Sequence, residues 1–335
     1  MTIHDLVTPA LVVDAAAFEH NLVTMSQALP GGRLRPHVKA HKSVAIARRQ
    51  AAAGHRAFTC ATVREMEGLA AAGLGDDLLL ANEVVDATRL GRLEARVTVA
   101  VDSLETIAAA VAGGVREVLL DVNVGLPRCG CTPEDAGALA DEARRRGLVV
   151  RGVMGYEGHA VGLDDRERRR DETRQAMEKL AAAHRDVGGD VVSAGGTGTF
   201  DLNDLATEIQ AGSYVLLDTA YARLGLPFRE ALSVLSTVVS TSAAYAVADC
   251  GLKALGMDHG NPSIYGASVW FCSDEHVTFA PSAAPSEERP RSFRVGERIR
   301  VHPAHVDPTV AYHERFYLLD GEAVIETWPV DLRGW

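Results

Sequence analysis

The sequence lacks any run of about 18 apolar residues, the length that an α-helix needs to span a bilayer. It also lacks an excess of positive charge, since 34 Lys and Arg stand against 45 Asp and Glu and give a formal net charge of −11. An acidic surface repels polyanions, and no basic stripe with interleaved aromatics occurs, so no nucleic-acid partner is expected. The opening MTIHDLVTPALVVD has no basic region ahead of an apolar stretch, so no signal peptide is expected.

Cysteine is scarce as well, and its five positions are scattered: Cys60, Cys129, Cys131, Cys250 and Cys272. An odd, scattered set predicts reduced thiols and a cytoplasmic protein, not a disulfide framework. The Cys-Gly-Cys segment at 129–131 could bind a metal, but no second cysteine pair accompanies it. What is present, 47% apolar and 24% charged residues in a chain of 335, is ordinary for a soluble globular protein with a substantial core.

Short apolar runs alternate with amphipathic stretches rich in Ala, Arg and Glu over the first two thirds of the chain. The runs are LRPHVK (34–39), AFTCA (57–61), DLLLAN (77–82), VTVAV (97–101), EVLLDVN (117–123), VRGVMGY (150–156), DVVSAGGT (190–197) and EIQAGSY (208–214). Several stretches between them open on Thr, Ser or Asp and end at Gly, as capped helices do. Eight strands with helices between them predict a (β/α)8 barrel of the TIM type. The doubly wound alternative would carry GxGxxG after the first strand, where this chain has KAHKSV.

From about residue 235 the pattern changes to alternating apolar and polar residues between Gly, Pro and Asp turns, which predicts strands without helices. The segment at 281–292 has no periodicity and predicts an exposed loop. The N-terminal TPALVVD is also strand-like and is expected to pair with the C-terminal strands. We therefore predict an α/β barrel over 16–234 and an antiparallel β domain formed by 1–15 and 235–335.

The chemistry of a (β/α)8 barrel is built at the carboxyl ends of its strands. His37 and Lys39 end the first predicted strand and, being two residues apart, are expected to share one face of it. A lysine amine that is partly buried in the barrel mouth is nucleophilic towards an aldehyde. The alternative is a solvated, lysine-rich turn. Lys42 lies beyond the strand, where a helix should begin, so Lys39 is the preferred reactive lysine.

The seventh predicted strand ends in SAGGTGT, where successive backbone N–H groups with hydroxyls beside them would suit a phosphate. The residues concerned are Gly196, Thr197, Gly198 and Thr199. The loops after strands seven and eight are the usual phosphate site of this fold, and a flexible glycine turn is the alternative. A reactive lysine opposite a phosphate nest indicates a phosphorylated aldehyde cofactor, and pyridoxal 5′-phosphate (PLP) has both groups.

Four more polar residues lie at predicted strand ends. Arg128 follows the fifth strand, Tyr156 and His159 follow the sixth, and Tyr214 follows the eighth, next to the glycine loop. A solvated arginine and a structural histidine are the alternatives for Arg128 and His159.

A possible metal site lies in VHPAHVDPTVAYHERF, residues 301–316. His305 and Asp307 are two residues apart and are expected on one face of a strand. His-x-Asp can hold a divalent metal, with oxygen ligands and water completing the shell. A simple salt bridge is the alternative.

Seven segments occur in a characteristic order: TPALVVD, RPHVKAHK, YEGH, GGTGT, EIQAGSYVLLD, DCGLKAL and HPAHVDPTV. In these, and in the closing WPVDLRGW, the chain resembles the D-threonine aldolase/D-serine dehydratase family. Members of that family are fold-type III PLP enzymes, related to alanine racemase in the barrel. The resemblance covers nearly the whole chain, and it is the combination of segments that is specific.

The resemblance implies a role for each candidate residue. Lys39 would hold the PLP aldehyde as a Schiff base, with His37 on the cofactor side. Arg128 would lie by the phenolic oxygen and Tyr156 near the ring. The phosphate would be held by four loop residues and Tyr214: Gly196, Thr197, Gly198, Thr199 and Tyr214. His305 and Asp307 would bind a divalent metal, and the enzyme would act on D-amino acids as a homodimer.

The metal pair bears on the reaction that the resemblance implies. Family dehydratases tend to carry His-x-Cys, which suits zinc, and aldolases His-x-Asp, which suits harder ions, so Asp307 favours manganese or magnesium, with zinc as the alternative. Retro-aldol cleavage of a D-3-hydroxy amino acid to glycine and an aldehyde is therefore expected. The aldolases tend to have a histidine base six residues after the tyrosine. This chain has Gly162 there, so His159 is the candidate base. Val277 replaces a glycine that the family often has.

Two other functions stay open. A dehydratase would use Lys39 to remove the α-proton while the metal helps hydroxide to depart. A PLP carrier would need neither the C-terminal β domain nor a metal pair, so the presence of both argues against a carrier, and a racemase is disfavoured for the same reason.

Overall fold

A computed structural model describes residues 1–282 and 292–335, so most of the loop predicted at 281–292 lies outside the described residues. The chain divides into two compact units. We call the first the barrel unit; it comprises Val23–Lys39, Val44–Gly212 and Leu332–Trp335. The second, the antiparallel unit, comprises three other segments: Met1–Leu22, Ala40–Ser43 and Ser213–Asp331. The domain boundaries predicted from the sequence stay a prediction.

The strands, numbered in chain order, are β1 (Ala10–Asp14), β2 (Ala57–Cys60), β3 (Asp77–Leu80), β4 (Val97–Val101), β5 (Glu117–Asp121), β6 (Val149–Gly155), β7 (Val191–Ala194), β8 (Glu208–Ile209), β9 (Leu232–Thr241), β10 (Ala246–Ala248), β11 (Ser263–Ile264), β12 (Ala267–Cys272), β13 (Val277–Pro281), β14 (Arg298–His302), β15 (Arg315–Asp320) and β16 (Ala323–Pro329). The α-helices are α1 (Ala15–Ala28), α2 (Val44–Ala52), α3 (Val63–Ala71), α4 (Leu104–Ala112), α5 (Ala136–Arg145), α6 (Arg166–Val187), α7 (Thr219–Ala222) and α8 (Val306–Tyr312).

The barrel unit is built on the parallel sheet β2–β8, in sequential order. The segment 34–37 closes it, because Leu34 bridges Ile209 at one edge and His37 bridges Thr59 at the other, both in parallel. The predicted capping also holds: Thr62 accepts the Glu65 N–H at the start of α3 at 3.2 Å. The (β/α)8 fold predicted from the sequence is confirmed.

The first strand differs from the prediction in one respect. It pairs through isolated bridges, and Val38–Ala40 form a 3₁₀ helix, so Lys39 lies one residue into that turn and shares no strand face with His37. Pro36 accounts for the interrupted pairing, because a proline has no N–H to give to a ladder.

Charged side chains fill the amino-terminal end of the barrel interior. Arg35 donates from Nε to Glu208 at 2.7 Å and from Nη2 to Asp77 at 3.1 Å. Arg151 donates to the same Asp77 at 2.8 Å and to Thr98 Oγ1 at 2.7 Å. The arginine charges are thus paired and hydrogen-bonded where water is excluded, as buried charges must be.

An apolar layer lies next along the strands. Leu79, Ala100 and Leu119 follow Asp77, Thr98 and Glu117 by two residues, so each pair faces the same side of its strand. With Met154 they form one buried cluster. This layer separates the charged end of the barrel from the carboxyl ends of the strands, where the candidate residues lie.

The antiparallel unit contains β1 and β9–β16 in one sheet. A second pairing of β9, with β10, closes β9, β10, β13, β12, β11 and β14 into a ring. β1 pairs with β9 and β15, which is the pairing expected for TPALVVD.

The prediction that His305 and Asp307 share a strand face is wrong. His305 is the N-cap of α8 and Asp307 lies in its first turn. Pro308 explains the helix start, since proline is tolerated in a first turn, where an N–H has no helical partner. No helix of the described residues is long and apolar enough to cross a membrane.

Candidate functional site

Four of the predicted cofactor residues converge in the barrel unit. The Nζ atom of Lys39 lies 5.9 Å from the centroid of the Tyr156 ring, and the guanidinium carbon of Arg128 lies 5.5 Å from it. A Cβ built on Gly196 would lie 3.5 Å from Cε2 of Tyr156, so the same ring lies against the glycine loop. Lys39 and Tyr156 are half-buried, and Arg128 is exposed. The lysine, the arginine and the loop therefore surround one aromatic ring.

His37 is buried next to the turn that carries Lys39. Its backbone N–H donates to the Ala211 carbonyl, and its Nδ1 accepts from the backbone N–H of Lys39 at 3.5 Å. The ring therefore supports the turn that carries Lys39. Lys42 lies in the antiparallel unit with φ +47°, outside the turn that holds Lys39.

The glycine-threonine loop is tightly packed. Gly198 faces the carbonyl oxygen of Val161 so closely that a Cβ would lie 1.8 Å from it, so only glycine fits there. Gly195 has φ +84°, a left-handed conformation that glycine adopts without strain. Thr197 and Thr199 are both buried. The loop is therefore closely packed, with both threonines buried.

Sequence reasoning missed Glu157, a buried carboxylate that contacts this loop. It accepts hydrogen bonds from Thr199 Oγ1 at 2.8 Å and from the Gly195 N–H at 3.1 Å. Burial raises the pKa of Glu157, and these hydrogen bonds act in the opposite direction. The sequence feature that could have identified Glu157 is its position in YEGH, directly after Tyr156.

His159 has a buried Nδ1 that has no hydrogen-bond partner among the described residues. Its ring lies against Gly125, where a Cβ would come within 2.7 Å of the ring. Such an orphaned polar atom suits a partner that arrives with a ligand. Gly162, where the family resemblance places a base, is exposed and has open space around its missing side chain.

Two carboxyl groups that the sequence did not single out, Asp121 and Glu83, interact with each other, and Asp121 also interacts with the charge of Arg128. Burial, and then the charge of Glu83, raise the pKa of Asp121 well above its usual value. A hydrogen bond to Glu83 and burial raise the pKa of Cys129 to about 11, and burial raises that of Cys131 to about 12. Both cysteines thus keep their protons at neutral pH, and all five cysteines of the chain are free thiols.

The predicted metal pair is close in the antiparallel unit. His305 Nε2 lies 4.0 Å from Asp307 Oδ1, so the two side chains could both contribute ligands to one divalent metal site. The other ring nitrogen, Nδ1, lies 2.7 Å from Asp258 Oδ2, and the His259 ring stacks on His305 at 3.9 Å. Within the described ranges, Asp258, His259 and His305 form the one cluster of three potential ligands, and neither Asp307 nor the Cys129–Cys131 pair belongs to it.

Asp218 holds the start of the helix that carries the metal pair. Its carboxylate accepts the Val306 N–H at 2.9 Å and the Tyr221 N–H at 3.0 Å, which holds the start of α8. Burial raises the pKa of Asp218 to about 6.

Tyr214, predicted to hold phosphate, is fully buried in the same unit, with its ring 5.7 Å from that of Phe228.

Comparison with known proteins covers both units. Residues 13–220 match the family described as "Alanine racemase, N-terminal domain", and residues 231–319 match the "Putative serine dehydratase domain". The chain is 34% identical to a D-threonine aldolase of an Arthrobacter species, over 98% of this chain and 93% of that protein. A 3-hydroxy-D-aspartate aldolase of Paracoccus denitrificans is 30% identical with the same coverage.

Two further matches bear on the reaction. A D-threo-3-hydroxyaspartate dehydratase of a Delftia species is 31% identical, over 100% of this chain and 99% of that protein. Among solved structures, D-threonine aldolase from Filomicrobium marinum superposes with a TM-score of 0.90 at 35% identity, covering 99% of this chain and 97% of the other.

Proposed function

The chain belongs to the alanine racemase-like family of PLP-dependent lyases that contains the D-threonine aldolases, and on that premise we propose its reaction. It cleaves D-3-hydroxy-α-amino acids that resemble D-threonine into glycine and an aldehyde, by a retro-aldol reaction that requires a divalent metal. The observation that carries the proposal is the grouping of Lys39, Arg128 and the Gly196 loop around Tyr156.

The residues of the barrel unit fit the cofactor. Lys39 is a half-buried amine that would bind the aldehyde, and Arg128 would provide a positive charge for the phenolic oxygen. The loop Gly196–Thr199 supplies a closely packed, glycine-rich backbone for the phosphate, and a side chain at Gly198 would collide with Val161. When bound, PLP supplies an electron sink for the bond that breaks at the substrate α-carbon.

The antiparallel unit fits the metal. His305 Nε2 and Asp307 Oδ1 would be its ligands, and a carboxylate oxygen favours manganese or magnesium over zinc. When bound there, the ion would supply Lewis-acid chemistry that lowers the pKa of a substrate hydroxyl. His159 would accept the β-hydroxyl proton, since its buried Nδ1 has no partner in the described structure. The Cα–Cβ bond then breaks, the aldehyde leaves, and the α-carbon takes a proton to give glycine.

The dehydratase is the second candidate, favoured by the 31% identity to a D-threo-3-hydroxyaspartate dehydratase over the full chain. Asp307, in place of the cysteine that is typical of family dehydratases, supports the aldolase. The PLP-carrier alternative is set aside, because the curated relatives that align over both units are lyases. The homodimer implied by the resemblance stays a prediction.

The test supplies D-threonine and D-serine to the purified enzyme with PLP, before and after metal removal by a chelator. Glycine and acetaldehyde are expected from D-threonine, whereas 2-oxobutyrate and ammonia would establish the dehydratase. Lys39→Ala should abolish the absorbance band of the bound cofactor, and Lys42→Ala, a change in the same motif, should retain it. A Lys39→Ala protein that keeps the band contradicts the cofactor assignment, and full activity without metal contradicts the role of His305 and Asp307.

A further inference from the structure

Glu157 is a charged residue that is fully buried against the glycine-threonine loop. It is 0% exposed, and its hydrogen-bond partners Gly195, Thr199 and Asn203 lie with it in the barrel unit. Oε1 accepts from Thr199 Oγ1 at 2.8 Å and from Asn203 Nδ2 at 3.4 Å, while Oε2 accepts from the Gly195 N–H at 3.1 Å. A buried carboxylate with three donors must have a reason to be there, because burial of a charge is costly.

The direction of each hydrogen bond is fixed by its surroundings. The Gly196 N–H donates to Thr199 Oγ1 at 3.2 Å, so the hydroxyl proton of Thr199 is directed at Glu157. Asn203 Oδ1 accepts the Ala206 N–H at 3.1 Å, which turns its NH₂ group towards the same carboxylate. Among the described residues, these oxygens accept from three donors; the three hydrogen bonds favour the ionised carboxylate, and burial opposes them.

We propose that Glu157 is a positioning residue that fixes the loop Gly195–Thr199 in its phosphate-binding conformation before the cofactor arrives. This inference rests on the proposed function, because it takes the PLP phosphate as the ligand of the loop. The Thr199 hydroxyl then serves Glu157 and not the phosphate, and the phosphate is assigned to the Thr197–Gly198 part of the loop.

The physical reason is preorganisation. Three of the five residues in this loop are glycines, which have the largest conformational freedom in a free chain. A loop that must be ordered when the ligand binds weakens the binding, whereas a loop that is already ordered does not. The buried carboxylate orders it by holding Gly195 directly and Gly196 through Thr199.

Glu157→Gln tests this with almost no change in shape. The Gln oxygen can still accept from Thr199 and Asn203, but its NH₂ group faces the Gly195 N–H, so one buried donor loses its acceptor. PLP binding should weaken on the order of tenfold, and binding of pyridoxal, which lacks the phosphate, should change less than about twofold. Glu178→Gln, a change on the exposed face of α6, is the matched control and should bind both compounds as wild type does.

Hydrogen exchange in the cofactor-free protein supplies a second measurement that does not need the Gln variant to fold. The Gly195 and Gly196 amides should be protected in wild type and in Thr199→Ser, which keeps the hydroxyl. In Thr199→Val, which keeps the shape and loses the hydroxyl, Gly196 should exchange faster. Rapid exchange of both amides in the cofactor-free wild type overturns the proposal.

The binding data separate the remaining outcomes. Equal weakening of PLP and pyridoxal by Glu157→Gln means a general structural role, and no weakening means none, so either result overturns the proposal. If the wild-type enzyme binds PLP more tightly than pyridoxal and Glu157→Gln shows the same preference, this inference is overturned and the proposed function stays intact. A wild-type enzyme without that preference overturns both, because the loop then binds no phosphate.

Discussion

The Nδ1 atom of His305 lies 2.7 Å from a carboxylate oxygen of Asp258, a residue 47 positions earlier in the chain. A proton shared on this side of the ring leaves the Nε2 lone pair for a metal, on the side of Asp307. The carboxylate thus orients the histidine that is proposed to bind the metal.

Loss of the Asp258 carboxylate should weaken metal binding. Asp258→Ala leaves His305 without its orienting partner, and the manganese dissociation constant should rise about 10- to 100-fold. Titration of the metal-free protein measures it, with Asp274→Ala, a change at a 75% exposed side chain, as the control. Asp258→Asn keeps a hydrogen-bond acceptor and should lose less. An Asn variant as weak as the Ala variant would mean that Asp258 binds the metal directly.

Exchange of the second proposed ligand should change the preferred metal. Asp307→Cys replaces a hard oxygen by a soft thiolate, so affinity should shift from manganese and magnesium towards zinc. Competition titrations of zinc against manganese on wild type and variant measure the shift. Asp204→Cys, a change at an exposed residue of the barrel unit, controls for adventitious zinc binding to a new thiol. An unchanged zinc preference would place Asp307 outside the metal shell.

A single methyl group at Gly125 should impair the proposed base. A Cβ there comes within 2.7 Å of the His159 ring, and the glycine has φ +144°, so the ring must move. We expect kcat to fall on the order of 100-fold while the absorbance of bound PLP is retained. Gly32→Ala adds the same methyl group in open space and serves as the control. Wild-type kcat in Gly125→Ala would exclude His159 as the base.

Acid should destabilise the barrel through Asp77. Burial alone would raise the pKa of Asp77, but hydrogen bonds and charges from Arg151 and Arg35 outweigh it and hold the pKa well below its ordinary value. A carboxyl with a lowered folded pKa stabilises the fold above its unfolded pKa of about 3.9, and that contribution is lost as the pH falls towards the folded pKa.

The free energy of unfolding, measured in urea from pH 7 down to pH 3, should therefore fall more steeply in wild type than in Asp77→Asn. At pH 7 the variant should be less stable by about 2 kcal/mol. Asp76→Asn, one residue earlier and 55% exposed, should follow the wild-type curve. Parallel curves for wild type and Asp77→Asn would show that the ion network is not linked to acid stability.

Local patterns were sufficient to predict the barrel and two of its features. Each of the eight apolar runs is separated by only a few residues from the capping residue or the glycine that bounds the neighbouring helix. The sequence alone therefore predicts the alternation of strands and helices and the turn after each strand. Lys39 and the Gly196 loop could be proposed for the same reason, because both follow directly from a strand end. The Asp307-Pro308 pair also marked the start of α8, but the alternation of apolar and polar residues around it suggested a strand instead.

Only the tertiary structure decided which polar groups meet. Glu157 contacts a threonine 42 residues later, and Arg35 contacts a glutamate 173 residues later. These contacts arise when the barrel closes and brings distant strand ends together, and no spacing along the chain encodes them. The sequence determined that a lysine and a glycine-rich loop stand at strand ends, whereas the fold decided that Thr199 donates to a buried carboxylate.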